Sequence, residues 1–139
     1  GEITTVEMAI EMSGRHNFGL IGPDKTPIIT LPGDPISAYI SAELFIRPMI
    51  RSMMGLHDLH RPVIKTKLTN DVLSEAGVHS FIRAVFPSEA DKSKVTAIEN
   101  QSDLVGLSDA HGLIVIPEDL TNVKAGSEVD LLLLERRFN

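Results

Sequence analysis

The chain has 139 residues, 42% of them hydrophobic, which is enough for one packed domain or two small ones. A formal charge of −6 and an aromatic content of 4%, with no tryptophan, argue against nucleic acid as a partner, because phosphate and base binding ask for a basic face and stacking rings. The absence of cysteine rules out a disulfide framework, a thiol nucleophile and a cysteine-type zinc site. No apolar run approaches the ~18 residues of a membrane span and no signal-peptide pattern opens the chain, so a soluble protein of the cytoplasm is expected.

Thr4–Ile10 sets Val6, Met8 and Ile10 against Glu7 and predicts a strand. Glu11–Asn17 is a polar connection containing Gly14, and Phe18–Ile21 predicts a second strand. Gly22-Pro23-Asp24-Lys25 reads as a turn, and the β-branched run Thr26–Leu31 as a short buried strand. In the stretch Leu31-Pro32-Gly33-Asp34-Pro35-Ile36-Ser37-Ala38, Pro32-Gly33 makes a sharp turn and Asp34 is a good N-cap. Pro35 takes the first helical position, where a missing N–H costs nothing. Ile36–Met53 then brings Ile36, Ile40, Leu44, Phe45 and Met49 onto one helical face. Pro48 inside this helix predicts a kink near Leu44–Arg47, Arg47 and Arg51 form a solvated cationic edge, and Gly55 is placed as the C-cap. A strand, a tight turn and a helix start aim free backbone N–H groups and the positive helix end at one point, which suits an anion; a plain structural joint capped by Asp34 explains the same residues. Three strands and one helix cannot cover both faces of a sheet, so residues 1–55 read as the tail of a larger α/β domain with a mixed sheet.

Residues 56–60 read as a linker; His57 and His60 within it lack a third ligand at a fitting spacing, which leaves a metal site unsupported. From Arg61 the pattern is all-β: Val63–Leu68, Ser80–Phe86, Lys94–Ile98, Gly112–Ile116 and Glu128–Leu134 alternate or run apolar. Turn clusters at Asn70-Asp71, Ser74–Gly77, Ser88–Ser93 and Pro117–Gly126 separate them, and Leu104–Ala110 reads as a short helix or 3₁₀ turn. Five short strands predict a small, partly open β-barrel over residues 61–139, so the whole chain is of α+β class.

The wording of these segments resembles one family. Leu31–Ala38 followed by Glu43-Leu44-Phe45-Ile46-Arg47-Pro48 is similar to the LPGNPVSA…FELFVRP segment of molybdopterin molybdenumtransferases, the MoeA family with the E domain of gephyrin. Arg61-Pro62-Val63 and Ser80-Phe81-Ile82-Arg83-Ala84 resemble its RPxVxA and FxRA segments. Ala110–Glu118 and Ala125–Leu133 resemble its closing phrase ANGLIVVPEG…AGEEVEVLLL, so the likeness runs from about Val6 to Leu134.

The resemblance implies insertion of molybdate into adenylylated molybdopterin with Mg²⁺ and release of AMP, by a homodimer able to meet a molybdopterin adenylyltransferase. It makes residues 1–55 the last part of the molybdopterin-binding domain and 61–139 the C-terminal β domain; the earlier half of the α/β domain would lie upstream, so this chain alone is not expected to turn over. Ser37 and Asp34 would serve the reaction, and Gly33, Pro35, Ser37, Arg15, Arg83 and Ser102 would hold the oxyanion and cofactor, with Asp34 also a magnesium ligand. From the residues alone, Arg83 reads instead as a strand arginine closing a surface ion pair. The sequence departs from the family twice: Asp34 replaces the usual asparagine, and the family's KPGKP-like loop stands as Glu11-Met12-Ser13-Gly14-Arg15. A glutamate there repels a dianion, with Arg15 one residue out of register to compensate. Two further readings stay open: a non-catalytic scaffold or paralogue on the same fold, and an unrelated small β-barrel interaction module.

Overall fold

Strands β1 (Glu2–Val6), β2 (His16–Ile21) and β3 (Thr26–Thr30) form an antiparallel sheet in the order β1-β2-β3. The computed structural model describes residues 2–6, 16–31, 35–74, 77, 79–88, 90–99, 101 and 109–134. The β2–β3 hairpin closes through the expected turn, in which Gly22 has φ +79° and the Lys25 N–H donates to the Gly22 carbonyl at 3.1 Å. The three strands pair antiparallel throughout; the larger α/β domain with a mixed sheet, of which residues 1–55 were expected to be the tail, is not shown. One expectation is corrected here. β3 is not buried: Ile28 and Ile29 are half-buried and Thr26, Pro27 and Thr30 exposed, with Leu20 and Ile21 of β2 exposed beside them.

A continuous helical stretch follows as α1 (Pro35–Ser41), a π-helical segment (Ala42–Ile46) and α2 (Arg47–Met53). Pro35 is its first residue, as its fixed φ favours. The irregularity falls where Pro48 predicts it. Proline has no N–H for the carbonyl four residues back and its ring crowds that turn; the wider turn just ahead, with the Arg47 N–H donating to the Ala42 carbonyl, takes up the misfit. Gly55, at φ +76°, ends the stretch: its N–H reaches the Ser52 carbonyl and the Leu56 N–H the Arg51 carbonyl, both at 3.0 Å.

The second half is a closed five-stranded barrel in the order β10-β4-β7-β6-β8. Its strands are β4 (Val63–Leu68), β6 (Ser80–Val85), β7 (Lys94–Ala97), β8 (Gly112–Ile116) and β10 (Glu128–Leu133). All pairs are antiparallel except β4–β7, which closes the barrel in parallel through Lys67↔Lys94 and Leu68↔Val95. The expected partly open barrel is thus corrected to a closed one; the closing ladder is only two pairs long and leaves no pattern in the sequence. Two strands were not foreseen, β5 (Val72–Leu73), between two predicted turn clusters, and β9 (Asn122–Val123), inside another; they pair and bury Val72 and Val123 against the core. The interior holds Leu68, Ile82, Ala84, Phe86, Val95, Ala97, Ile114, Ile116, Val129 and Leu131, the alternate residues of each strand.

The helix does not stand apart from this barrel. Ile36, Tyr39, Ile40 and Leu44 pack with Phe81, Ile98, Ala110, Leu113, Leu132 and Leu134 on its outer wall. That cover explains why Leu113, on the outward face of β8, is as completely buried as its inward neighbour Ile114. Glu43 and Arg61 pin the same contact with a two-pronged ion pair, Arg61 Nε to Glu43 Oε2 at 2.7 Å and Nη2 to Oε1 at 3.2 Å, each side chain 15% exposed.

Candidate functional site

Ser37 lies one turn before Ile40 and Ser41, and these three are the buried residues of α1. The i, i+3, i+4 spacing puts them on one face, the face that carries Ile40 into the seam with the barrel. Ser37 is 7% exposed, so it is buried on that face rather than in open solvent. Pro35, two residues before it, is exposed. Gly33, Asp34, Arg15, Ser102 and Glu11 lie outside the described residues, as do residues 104–108 of the helical turn expected over Leu104–Ala110.

Among the described residues Arg83 is the largest fully buried side chain, at 0% exposure. Alternation along β6 turns Ile82 and Ala84 into the barrel and puts Phe81 and Arg83 on the outer wall; Phe81 joins the helix seam. The surface position read from the sequence is therefore corrected: Arg83 is buried, and Gln101 hydrogen-bonds it there. The Arg83 Nη2 donates to the Gln101 carbonyl at 2.8 Å, and the Arg83 N–H donates to the Gln101 Oε1 at 3.0 Å. The Gln101 Nε2 donates in turn to the Arg83 carbonyl at 3.1 Å and to the Ile98 carbonyl. Ser102, expected to reach the same cleft as Arg83, lies outside the described residues.

Sequence reading passed over Gln101 itself, and also Asn70 and the Glu43–Arg61 pair. Asn70 lies in a stretch read as a turn, yet its Nδ2 donates to the Ala97 carbonyl and its Oδ1 accepts from the Ala97 N–H, both at 3.0 Å. Nothing in a turn's composition distinguishes such an asparagine; the only signal for Glu43 and Arg61 was opposite charge on either side of the linker. His111 accepts a hydrogen bond at Nδ1 from the Phe86 N–H at 2.9 Å and stacks on the Phe86 ring, with centroids 5.6 Å apart. Among the described residues no group of three or more His, Cys, Asp or Glu could hold a metal ion, and no helix is long and apolar enough to cross a membrane.

Residues 65–134, half of the chain, match the family profile described as the MoeA C-terminal region, domain IV. The chain belongs to the MoeA family. It is 41% identical over 106 residues to molybdopterin molybdenumtransferase 2 of Mycobacterium tuberculosis, an alignment that covers 76% of this chain and 26% of that protein. With molybdopterin molybdenumtransferase 1 of the same organism it shares 27% identity over 141 residues, covering 96% of this chain and 33% of that one. The chain thus spans a quarter to a third of these MoeA relatives. The fold is similar to the crystal structure of the molybdopterin biosynthesis MoeA protein of Pyrococcus horikoshii, with a TM-score of 0.75 at 23% identity over 93% of this chain and 31% of that one. It is also similar to a molybdenum cofactor biosynthesis protein of Pyrococcus furiosus, with a TM-score of 0.73 at 19% identity over 95% of this chain and 46% of that one. The MoeA profile match takes in Arg83 and Gln101, while Ser37 and the helix precede it.

Proposed function

We propose that the chain is the C-terminal part of an enzyme that inserts molybdate into adenylylated molybdopterin, releasing AMP. The membership of the MoeA family carries this reading, together with the retention of Ser37 and Arg83 at the positions that the family's motifs mark. Molybdate is a dianion and the adenylylated cofactor carries phosphate, so both call for fixed donors and positive charge, which act most strongly where water is excluded. In this reading the free backbone N–H groups at the N-terminus of the helix and the Ser37 hydroxyl donate to the oxyanion, while Gly33, Pro35, Arg83, Arg15 and Ser102 complete its surroundings. The full burial of Arg83 suits a charge meant to act in a poorly screened setting, and it requires that substrate binding uncover the guanidinium.

The magnesium that this chemistry implies has no set of three candidate ligands among the described residues, and Asp34, the carboxylate assigned to it, lies outside them; no step is derived through the metal. A homodimer and a molybdopterin adenylyltransferase as supplier of the adenylylated substrate belong to the same proposal. Since the chain spans a quarter to a third of its relatives, turnover is proposed for the full-length product of the gene. A second reading, a non-catalytic paralogue, is favoured by Glu11, whose carboxylate stands where the family resemblance puts a lysine.

The test is AMP release from adenylylated molybdopterin with molybdate and Mg²⁺, comparing the wild type with Ser37→Ala. Loss of one oxyanion donor is expected to slow release by on the order of 10²-fold with the thermal midpoint preserved. An unchanged rate in Ser37→Ala would remove that serine from the chemistry.

A further inference from the structure

Two carboxamide side chains take over where the backbone ladders of β7 end. On the edge facing β4, the parallel pairing Leu68↔Val95 continues with the Thr69 N–H donating to the Val95 carbonyl at 2.9 Å, and then the Asn70 carboxamide bonds both the N–H and the carbonyl of Ala97. On the edge facing β6, the pairing ends at Ala84↔Ala97; the Ile98 N–H donates to the Arg83 carbonyl at 2.9 Å, and then the Gln101 carboxamide bonds both backbone groups of Arg83. Each amide takes the place of a strand residue: Asn70 satisfies both backbone groups of Ala97, and Gln101 satisfies the N–H of Arg83 and shares its carbonyl with the Ile98 N–H.

Gln101 does one thing that Asn70 does not. Its main-chain carbonyl also receives the Arg83 Nη2, so a single residue holds Arg83 by its backbone and by its guanidinium together. Asn70 shows that a carboxamide suffices to finish a ladder in this barrel without gripping a cation. The additional bond from Gln101 limits the directions in which the guanidinium can point.

We propose that Gln101 is a positioning residue for an oxyanion site, setting the orientation of the Arg83 guanidinium toward a tetrahedral dianion. This rests on the reading of Arg83 as an oxyanion-binding side chain. Gln101 acts through Arg83 and does not touch the anion through its own carboxamide, whose oxygen and nitrogen are both committed to backbone groups.

The experiment measures the molybdate dissociation constant by titration calorimetry and the thermal midpoint by circular dichroism, in the full-length gene product. The variants are Gln101→Met, which keeps volume and removes the amide, Gln101→Leu as a second uncharged replacement without it, Arg83→Lys, and Asn70→Ala as the control for a purely structural carboxamide. Both Gln101 variants are expected to weaken molybdate binding by about tenfold or more, because without the carboxamide the Gln101 main chain no longer holds its carbonyl in place for the Arg83 Nη2, whereas Asn70→Ala lowers the thermal midpoint and leaves the dissociation constant within about twofold. Equal weakening by Asn70→Ala, or none by either Gln101 variant while Arg83→Lys weakens binding, overturns the positioning role alone. If the wild type binds no molybdate, or Arg83→Lys binds as the wild type does, the reading of Arg83 falls and this proposal falls with it.

Discussion

Replacing Gly112 by alanine probes how tightly the barrel is closed. Gly112 begins β8 opposite Leu133 of β10 and Ala84 of β6, and its missing side chain would point between them. A Cβ placed there stands 2.8 Å from Leu131 Cγ and Cδ1 and 2.8 Å from the Leu132 carbonyl oxygen. Leu131 could turn only by disturbing a core in which it is fully buried, and the Leu132 carbonyl belongs to the β8–β10 ladder and cannot turn at all. Forcing a methyl group into such a space costs about 1–3 kcal/mol, more than the ~0.4–1 kcal/mol that alanine recovers by stiffening the unfolded chain. For a domain of this size that lowers the thermal midpoint by roughly 5–20 °C. The assay is thermal unfolding by circular dichroism for Gly112→Ala, alone and with Leu131→Val, which clears the side-chain clash but not the carbonyl. The double variant is expected to stay well below Leu131→Val alone. A midpoint for Gly112→Ala at or above the wild type would show that β8 and β10 are not packed this closely, and the close approach would be refuted.

Glu43→Ala should cost about 1.5–3 kcal/mol in urea unfolding, because its ion pair with Arg61 is two-pronged and mostly shielded from water. A double-mutant cycle with Arg61→Ala should show coupling; strictly additive losses would mean that the helix and the barrel are not joined there. The Ala125 N–H, and more weakly the Lys124 ammonium, hold the Asp71 carboxyl below its ordinary range. A depressed folded value stabilises the protein above the unfolded carboxylate range and loses that contribution as pH falls through the lowered value, so Asp71→Asn should flatten the acid limb of a stability–pH curve. An unaltered acid limb would show that these contacts do not persist in solution. Pro48→Ala restores the N–H that an ordinary turn needs, and a crystal structure should show Ala42–Ile46 narrowing to α-helix. Persistence of the Arg47-to-Ala42 bond in that variant would detach the π segment from the proline.

Much of this fold could be read ahead because its patterns are local. Val63–Leu68 and Gly112–Ile116 alternate or run apolar between strong turn signals, and both strands occupy those residues. Pro35, Pro48 and Gly55 each act through their own backbone, so the helix start, its irregular middle and its end follow from chemistry at single positions. What escaped was long-range. The barrel closes through two parallel pairs, β5 and β9 are two residues each, and neither is long enough to show a period. Arg83 is buried and bonded to Gln101, eighteen positions away in sequence, which no alternation along β6 itself could reveal. The helix face was legible as apolar, but its partner was not: Tyr39, Ile40 and Leu44 meet the outer wall of the barrel, a surface that alternation marks as the solvent side. For the site, the motif around Ser37 and the FxRA-like arginine were found from wording, whereas the Gln101 carboxamide that holds the second of them became visible only in three dimensions.

The most direct measurement is molybdate-dependent release of AMP from adenylylated molybdopterin by the full-length gene product with Mg²⁺, with Glu11→Lys run beside the wild type. AMP release by the wild type that rises with molybdate is the expected result, and it would make the Glu11 loop a tolerated variant of the family's lysines. A wild type that binds molybdopterin yet releases no AMP, with turnover restored by Glu11→Lys, would contradict the transferase reading and assign the chain to a paralogue that kept the fold and gave up the metal step.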